Sequence, residues 1–263
     1  MTSCTDQLGR SILLDKNPQR IVSLVPSQTE LLHYYGLDEQ VIGITRFCIH
    51  PPQWYQQKQK VGGTKKLNLE KIASLQPQLI IANKEENTKA DIEWLSARFP
   101  VWVSVILNLH DANDMIVKLG DICGVSKQAS SLVQTISQNF EELEQQHLVR
   151  KNIRAVYLIW NDPIMLAGRD TFIDDMICRM GLTNACDASR YPELTADQLK
   201  LLHPDLILLS SEPFPFAEKH VAEFRKILPH AKTILVDGEF FSWYGSRLRD
   251  SANYFKNILQ SLS

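Results

Sequence analysis

The chain carries the segment LEKIASLQPQLI at residues 69–80 and a second version of it, ADQLKLLHPDLI, at residues 196–207. The acidic residue, the apolar positions, the proline and the apolar run that follows the proline coincide in the two segments. A polar residue suited to capping a helix, Asn68 or Thr195, stands two places before the acid in each copy. The repeat predicts two related half-chains, in each of which a short capped helix leads through proline into a buried strand.

Strand-like and helix-like patterns alternate through both halves of the chain. Short apolar runs predict strands at Arg20–Val25, Val41–Thr45, Leu79–Ala82, Val101–Val105, Ala155–Trp160, Leu206–Leu209 and Thr233–Val236. Capping and stop residues predict helices at Ser27–Tyr35, Asn68–Leu75, Thr171–Met180 and Leu248–Leu262. Ser27 and Glu30 have capping-box spacing at the start of the first helix, and Gly36 and Gly181 are expected to end their helices. This order is typical of α/β domains with parallel sheets.

A different pattern separates the two halves. From Ser126 to Leu148, apolar residues recur at steps of three and four, and no proline or glycine interrupts them. This pattern predicts one amphipathic helix of about 35 Å. We therefore expect an N-terminal α/β lobe at 1–123, a connecting backbone helix at 124–150 and a C-terminal α/β lobe at 151–263. An ordinary long surface helix within one domain is the alternative.

The composition excludes several classes of protein. The 263 residues are 44% hydrophobic and 22% charged, and the formal net charge of −2 argues against a nucleic-acid binder. No apolar run approaches the roughly 20 residues of a membrane span, so a membrane-embedded chain is not expected. Residues 1–17 lack the basic start and apolar stretch of a signal peptide, which favours either a cytoplasmic protein or one whose leader was removed. The five cysteines lack CxxC spacing and are expected to be mostly buried thiols without a metal.

Longer stretches carry a resemblance to a known family. RIVSLVPSQTELLHYYGL (20–37), VGGTKKLNLEKIASLQPQLIIA (61–82) and PDLILLSS (204–211), with the long helix, resemble the helical-backbone (class III) substrate-binding proteins of ABC transporters. The cobalamin-binding branch is the most similar, through PSxTE, Pro51-Pro52 and NLEKI. The resemblance implies two Rossmann-like lobes with parallel sheets joined by one long α-helix, and a metal chelate held in the cleft between them. Cobalamin is the first expectation for the chelate, and an iron–siderophore or haem is the second.

The same resemblance implies a transporter partner. Family members deliver their ligand to a membrane permease through one acid per lobe, and the matching residues here are Glu70 and Asp197. Asp197 stands where the family usually has the longer glutamate. A carboxylate in a first helical turn also stabilises the helix dipole by ~0.3–1 kcal/mol without any partner. Members of the family work in the periplasm. We expect a monomer without a resident cofactor. Because no signal peptide is visible in the sequence, a cytoplasmic relative is the alternative.

Ligands of parallel α/β sheets bind beyond the carboxyl ends of the strands. The residues expected there as ligand contacts are Arg46, Phe47, Cys48, His50, Trp160, Glu239, Phe240, Phe241, Trp243 and Tyr244. Aromatic side chains of this density suit a large planar ligand such as a corrin or porphyrin. The alternative is that they pack the two lobes together.

Some of these residues allow more than one role. Cys48 or His50 can be an axial ligand to cobalt or iron, or can be structural. Arg46 can pair with a ligand carboxylate or phosphate, or with an acid such as Glu239.

Two other functions compete with the receptor. A cytoplasmic enzyme acting on a tetrapyrrole or cobamide would need His50 or Glu239 as acid–base groups. Against it, the sequence contains no GxGxxG, P-loop, nucleophile elbow or HExxH. The third hypothesis is a scaffold or signalling protein that has kept the fold but no longer binds a ligand. The leading prediction is a non-enzymatic receptor, whose chelate, metal and compartment the sequence leaves open.

Overall fold

The structure, a computed structural model, describes residues 2–14, 17–147 and 153–262. The chain forms two compact units. Unit 1 takes its described residues from Met1–Ile106, His110–Thr135 and Trp243–Arg247. Unit 2 takes its described residues from Leu107–Leu109, Ile136–Ser242 and Leu248–Ser263.

Strands and helices alternate along the first part of the chain. Up to residue 147 the strands are β1 (Thr2–Thr5), β2 (Ser11–Leu14), β3 (Ile21–Ser23), β4 (Val41–Ile44), β5 (Gln59–Lys60), β6 (Gly62–Gly63), β7 (Lys66–Leu67), β8 (Leu79–Asn83) and β9 (Val101–Ser104). The helices of this part are α1 (Pro26–Tyr34), α2 (Pro52–Gln57), α3 (Leu69–Ser74), α4 (Lys89–Ser96), α5 (Leu109–Ile122) and α6 (Ser126–His147).

The same alternation continues from residue 153 onward. The strands are β10 (Arg154–Trp160), β11 (Ile164–Leu166), β12 (Thr183–Asn184), β13 (Glu193–Leu194), β14 (Leu206–Ser210) and β15 (Lys232–Val236). The helices are α7 (Phe172–Arg179), α8 (Ala196–Leu201), α9 (Glu218–Ile227), α10 (Glu239–Ser242) and α11 (Leu248–Ser261). Every strand and helix predicted from the apolar runs and stop residues is present, with ends shifted by one or two residues.

Unit 1 is built on a five-stranded parallel sheet with the order β5-β4-β3-β8-β9. Its central strands are buried along their whole length, because helices cover both faces of a parallel sheet. The unpredicted hairpin of β1 and β2 leads into Gln7 and Arg10, which bond to the edge strand β9. Gln7 N–H donates to Val103 O at 3.1 Å, and Arg10 Nη2 donates to Val101 O at 3.0 Å. The hairpin thereby protects an edge that would otherwise expose unpaired backbone groups.

Unit 2 has a six-stranded sheet that is mixed. β12, β14 and β15 continue the parallel pattern of β10. β11 pairs antiparallel with β10, on the edge opposite β14, and β13 pairs antiparallel with β11. Neither strand was predicted from the apolar pattern of the sequence. Only three residues connect β10 to β11, and so short a connection permits only antiparallel pairing.

The predicted repeat is confirmed at the start of the two short helices α3 and α8. Asn68 Oδ1 accepts the N–H of Lys71 at 2.9 Å, and Thr195 Oγ1 accepts the N–H of Gln198 at 3.2 Å. Each capping side chain satisfies one of the free amides of the first turn, which fixes where the helix begins.

The start of α1 differs from the prediction. Val25 is its N-cap residue and Pro26 its first helical residue, so the capping box expected from Ser27 and Glu30 is wrong. Proline suits the first helical position because its missing N–H has no helical partner there, and it shifts the helix start towards the N-terminus. The expected stops are confirmed, since Gly36 and Gly181 adopt φ of +74° and +72° just after their helices.

The long amphipathic helix is present as α6. It is described up to His147, whereas Leu148 and residues 149–152 lie outside the described residues. The apolar stripe is buried at Ala129, Leu132, Ile136, Phe140 and Leu143. Residues 126–135 belong to unit 1 and residues 136–147 to unit 2. The three-part division at 123/124 and 150/151 stays a prediction. Among the described helices, none is long and apolar enough to cross a membrane.

Candidate functional site

The loop after β4, at the carboxyl end of the unit 1 sheet, holds four of the predicted ligand contacts. Arg46 and Phe47 project from it, and the Phe47 ring is 53% exposed. The Arg46 guanidinium lies 6.0 Å from the centre of that ring. The backbone N–H of Arg46 donates to Gly62 O at 2.8 Å, which ties the loop to the β6–β7 hairpin. A cation and a partly exposed ring therefore share one surface.

Cys48 lies beneath this surface. Its side chain is fully buried, with Sγ 3.1 Å from Thr29 Oγ1 and 3.2 Å from Thr45 Oγ1. Burial raises the pKa of the Cys48 thiol, which keeps it protonated near neutral pH. Cys48, predicted as a ligand contact, is instead a buried anchor of the loop and offers no face to a ligand.

A buried polar network below the same edge was missed by the sequence analysis. Asn83 Nδ2 donates to Ser104 Oγ at 3.0 Å, and Gln28 Nε2 also donates to that hydroxyl. Asn83 Oδ1 accepts the N–H groups of Glu85 and Glu86 at 2.7 and 3.0 Å. The network thereby joins helix α1, the end of β8 with the turn that follows it, and the end of β9. The signal for the network was available, since Asn83 and Ser104 each end an otherwise apolar strand.

The segment Trp243–Arg247 is part of unit 1 and is fastened there. Arg247 Nη2 donates to Glu30 Oε1 at 2.6 Å and Arg247 Nε donates to Oε2 at 3.2 Å, which makes the pair bidentate. The same guanidinium lies 4.9 Å from the Trp243 ring, and the His50 ring meets Trp243 edge-on at 5.4 Å. Trp243 is only 6% exposed and Tyr244 is similarly buried. These two predicted ligand contacts therefore pack inside the structure, and His50 stays partly exposed beside them.

At the carboxyl end of β10, unit 2 offers a partly exposed aromatic surface. Trp160 is 39% exposed and meets Phe214 edge-on at 5.5 Å between ring centres. Phe214 in turn packs on Phe216 at 4.7 Å and on His220 at 5.2 Å. Because these partners are more deeply buried, they hold Phe214 and Trp160 in place.

The segment 238–245, which supplies five of the predicted ligand contacts, contains the short helix α10. Its helical turn sends neighbouring aromatic residues to different surroundings. Phe240 stays half-buried and stacks on Tyr254 at 4.4 Å. Phe241 is fully buried against Tyr157 and Phe255, and is therefore a core residue of unit 2 rather than a ligand contact. Glu239 begins the helix and is half-buried.

The predicted ligand contacts thus fall into two groups. Those with exposed or half-exposed side chains are Arg46, Phe47, His50, Trp160, Glu239 and Phe240. Those that are buried are Cys48, Phe241, Trp243 and Tyr244. Within the part of the chain that the structure describes, no three His, Cys, Asp or Glu side chains gather as a metal site.

The two acids expected to meet a transporter lie in the first turns of α3 and α8. Glu70 is exposed, and none of the described basic residues forms an ion pair with it. The Asp197 side chain is 89% exposed and accepts a hydrogen bond from Lys200 Nζ at 2.9 Å. The two acids occupy matched positions but differ in their local charge.

Two relatives match most of the chain. An uncharacterised ABC transporter substrate-binding lipoprotein of Bacillus subtilis is 27% identical over 214 residues, covering 77% of this chain and 67% of that protein. A vitamin B12-binding protein of Pectobacterium carotovorum is 26% identical over 255 residues, covering 94% of this chain and 90% of that protein.

Solved structures share the fold. The periplasmic vitamin B12-binding protein of Vibrio cholerae superimposes with a TM-score of 0.80 at 21% identity. The match covers 94% of this chain and all of that one. The sequence profile of the periplasmic binding protein family matches residues 21–226, which include both the β4 loop and the aromatic surface of unit 2. Because that profile spans most of the sequence, the chain belongs to the periplasmic binding protein family.

Proposed function

We propose that this chain captures a metal chelate and passes it to the permease of an ABC transporter. A cobalt corrinoid is the first candidate, and an iron–siderophore or haem is the second. The observation that supports this most strongly is the partly exposed aromatic surface of Trp160 and Phe214. It belongs to a chain whose near full-length relatives include a vitamin B12-binding protein.

The chemistry of the exposed side chains suits such a ligand. A corrin or porphyrin is a large planar ring whose apolar faces favour contact with aromatic side chains, each of which buries about 150–250 Å². The candidate contacts in unit 1 are Arg46, Phe47 and His50, and those in unit 2 are Trp160, Glu239 and Phe240. Buried partners support several of them, which lowers the entropy lost when a ligand orders a side chain.

We propose that the chelate leaves the protein chemically unchanged. The relatives reported above are named for binding, and the exposed contacts are suited to holding and orienting a ring. Handover to the permease would use Glu70 and Asp197. A single exposed ion pair contributes only about 0–1 kcal/mol in water, so docking through both acids is expected to be weak and reversible.

Thermal denaturation of the full chain with cyanocobalamin, haemin or ferrichrome tests the proposal. A ligand at 100 times its Kd stabilises the folded state by about 2.7 kcal/mol, which corresponds to a Tm increase of about 5–10 °C for a chain of this size. Trp160→Ala should raise the Kd of whichever chelate stabilises the wild-type chain about tenfold. Trp94→Ala, a tryptophan on α4 stacked against Arg98, is the matched control. The absence of a Tm shift with all three chelates at large excess would contradict the proposal.

A further inference from the structure

We propose that the bound chelate carries an anionic side arm, a carboxylate or a phosphate, and that Arg46 binds it. This inference rests on the proposed function and names the class of chelate. It selects ligands with an acidic arm over neutral ligands with the same ring.

The charge of Arg46 is uncompensated within its unit. The guanidinium is exposed at the carboxyl end of β4, and no acid among the described residues of unit 1 forms an ion pair with it. Other arginines of the unit are engaged. Arg10 pairs with Asp6 at 2.7 Å, and Arg247 pairs with Glu30. Arg98 stacks on Trp94 at 3.9 Å. Arg46 is thus a cation at a ligand-binding edge whose charge a bound anion can neutralise.

The position of Arg46 is set by the backbone beside it. Its N–H is bonded to Gly62 O, and its side chain lies against Gly63. A Cβ at Gly63 would stand 3.0 Å from Phe47 Cε2 and 3.3 Å from Arg46 Nε. Such a contact is tighter than ordinary packing, so glycine lets the ring and the guanidinium lie side by side. The Arg46 guanidinium is therefore partly oriented before a ligand binds, which favours affinity.

The pairing of Arg46 with Phe47 matches the shape of an acidic chelate. A planar ring can rest on the exposed Phe47 side chain while an arm from its edge reaches the guanidinium. Arginine binds carboxylate and phosphate groups through two parallel N–H bonds, which a neutral amide arm cannot accept with the same strength. Of the candidate ligands, cobalamin supplies a phosphodiester and haem supplies two propionates, whereas ferrichrome carries no acidic arm.

Two ligand pairs separate the sources of the anion. Cyanocobalamin is compared with dicyanocobinamide, which lacks the phosphodiester and its nucleotide, and haemin is compared with its dimethyl ester. Each Kd is measured by tryptophan fluorescence for the wild-type chain, Arg46→Gln and Arg46→Lys. Arg98→Gln removes a charge elsewhere in unit 1 and is the control.

The expected result is a loss of affinity for the acidic ligand of one pair and not for its neutral partner. Arg46→Gln should raise its Kd about tenfold and that of its neutral partner less than twofold, because charge-assisted bonds are the strong ones. The Kd of Arg46→Lys for the acidic ligand should lie between those of the wild-type chain and Arg46→Gln, since lysine keeps the charge and loses the paired N–H groups of the guanidinium. A loss confined to the cobalamin pair identifies a phosphate, and one confined to the haem pair identifies a carboxylate.

The contrary outcomes are distinct. If Arg46→Gln weakens the affinity for both ligands of each pair equally, or for no ligand, the role of Arg46 is overturned and the proposed function stands. If the wild-type chain binds none of the four compounds but is stabilised by ferrichrome, the role of Arg46 falls and the proposed function stands. If ferrichrome also fails to bind, both proposals fall. Circular dichroism and the Tm of each variant establish that Arg46→Gln is folded.

Discussion

Arg20 and Arg154 make the same hydrogen bond in the two units. Arg20 Nη2 donates to Leu75 O at 2.6 Å, and Arg154 Nη2 donates to Leu202 O at 3.0 Å. Both carbonyls lie at the C-cap of the short helix that carries Glu70 or Asp197. A helix of six residues has few internal bonds, so the capping residue at one end and the arginine at the other fix its position.

Replacing either arginine should therefore loosen its helix. We expect Arg20→Ala and Arg154→Ala each to reduce the free energy of unfolding by about 1 kcal/mol, because the lost bond is charge-assisted but solvent-exposed. The Tm should fall by about 2–4 °C. Amide exchange should accelerate in α3 for the first variant and in α8 for the second. Arg225→Ala, on the exposed face of α9, is the control. Equal exchange in both helices for either variant would contradict this local role.

The Glu30–Arg247 pair should anchor the Trp243–Arg247 segment. Arg247→Ala removes a bidentate bond and leaves the half-buried Glu30 carboxylate without this partner, at an expected cost of about 2–3 kcal/mol. Proteolysis and amide exchange should increase at 243–247. Glu30→Gln is expected to cost less, because an amide can still accept a bond from the guanidinium. A double-mutant cycle with the two substitutions measures the coupling, and additive effects would show that the pair contributes nothing as a pair.

The five cysteines should differ sharply in reactivity. In the native protein at pH 8, iodoacetamide is expected to alkylate the exposed Cys178 first and to leave Cys48 intact. Only the thiolate reacts, and burial both raises the pKa of Cys48 and blocks the reagent. Mass spectrometry of tryptic peptides over a time course gives the order. In urea all five should react at similar rates. Early modification of Cys48 in the folded protein would mean that the β4 loop opens.

Seven strands could be predicted from the sequence because each is a local apolar run: β3, β4, β8, β9, β10, β14 and β15. The antiparallel strands β11 and β13 could not, since an apolar run does not say which neighbour a strand pairs with. The burial of Phe241 was missed for a related reason. Both Phe240 and Phe241 are expected to contact the ligand from the sequence alone. In the helix α10 the two side chains point in different directions, so Phe241 reaches the core and Phe240 does not.

The site was only partly predictable. The exposure of candidate contacts such as Phe47 and Trp160 follows from their place at or just after the end of a strand. The buried support beneath them depends on contacts between residues far apart in sequence, such as Thr29 with Cys48 or Asn83 with Ser104. No periodicity encodes such contacts. For this reason the role of Cys48 as a buried anchor of the loop could not be predicted from the sequence.

Alkaline pH should destabilise the protein through Cys123. Burial raises the pKa of its thiol from 9.0 to about 12. A raised folded-state pKa means that the stabilising contribution is complete below the unfolded pKa and is lost as the pH rises towards the folded value. Urea midpoints at pH 8.0, 9.5 and 10.5 should therefore fall with pH. The fall should be smaller for Cys123→Ala than for the wild-type chain. Cys178→Ala should reduce the fall less, because burial raises the pKa of that exposed thiol less strongly. Parallel curves for the wild-type chain and Cys123→Ala would contradict the assignment.

The two proposed docking acids should contribute unequally to transport. Asp197 is already bonded to Lys200, whereas Glu70 forms no ion pair with any described residue, so a basic partner gains more from Glu70. The quantity to measure is the concentration of binding protein that gives half-maximal stimulation of the transporter's ATPase. We expect Glu70→Gln to raise this concentration about two- to fivefold. Asp197→Asn should have a smaller effect. Lys200→Gln should lower that concentration, because it exposes the full charge of Asp197.

This asymmetry should disappear in salt. Raising the ionic strength from 0.05 to about 0.5 M screens exposed charges, so the variants should converge on the wild-type value. Asp91→Asn, an acid in the first turn of α4, is the control for the loss of one negative charge and should change little at either ionic strength. An effect of Asp197→Asn larger than that of Glu70→Gln would mean that Lys200 releases Asp197 on docking and itself joins the interface. Lys200→Gln would then weaken stimulation instead of strengthening it, so this variant decides between the two arrangements.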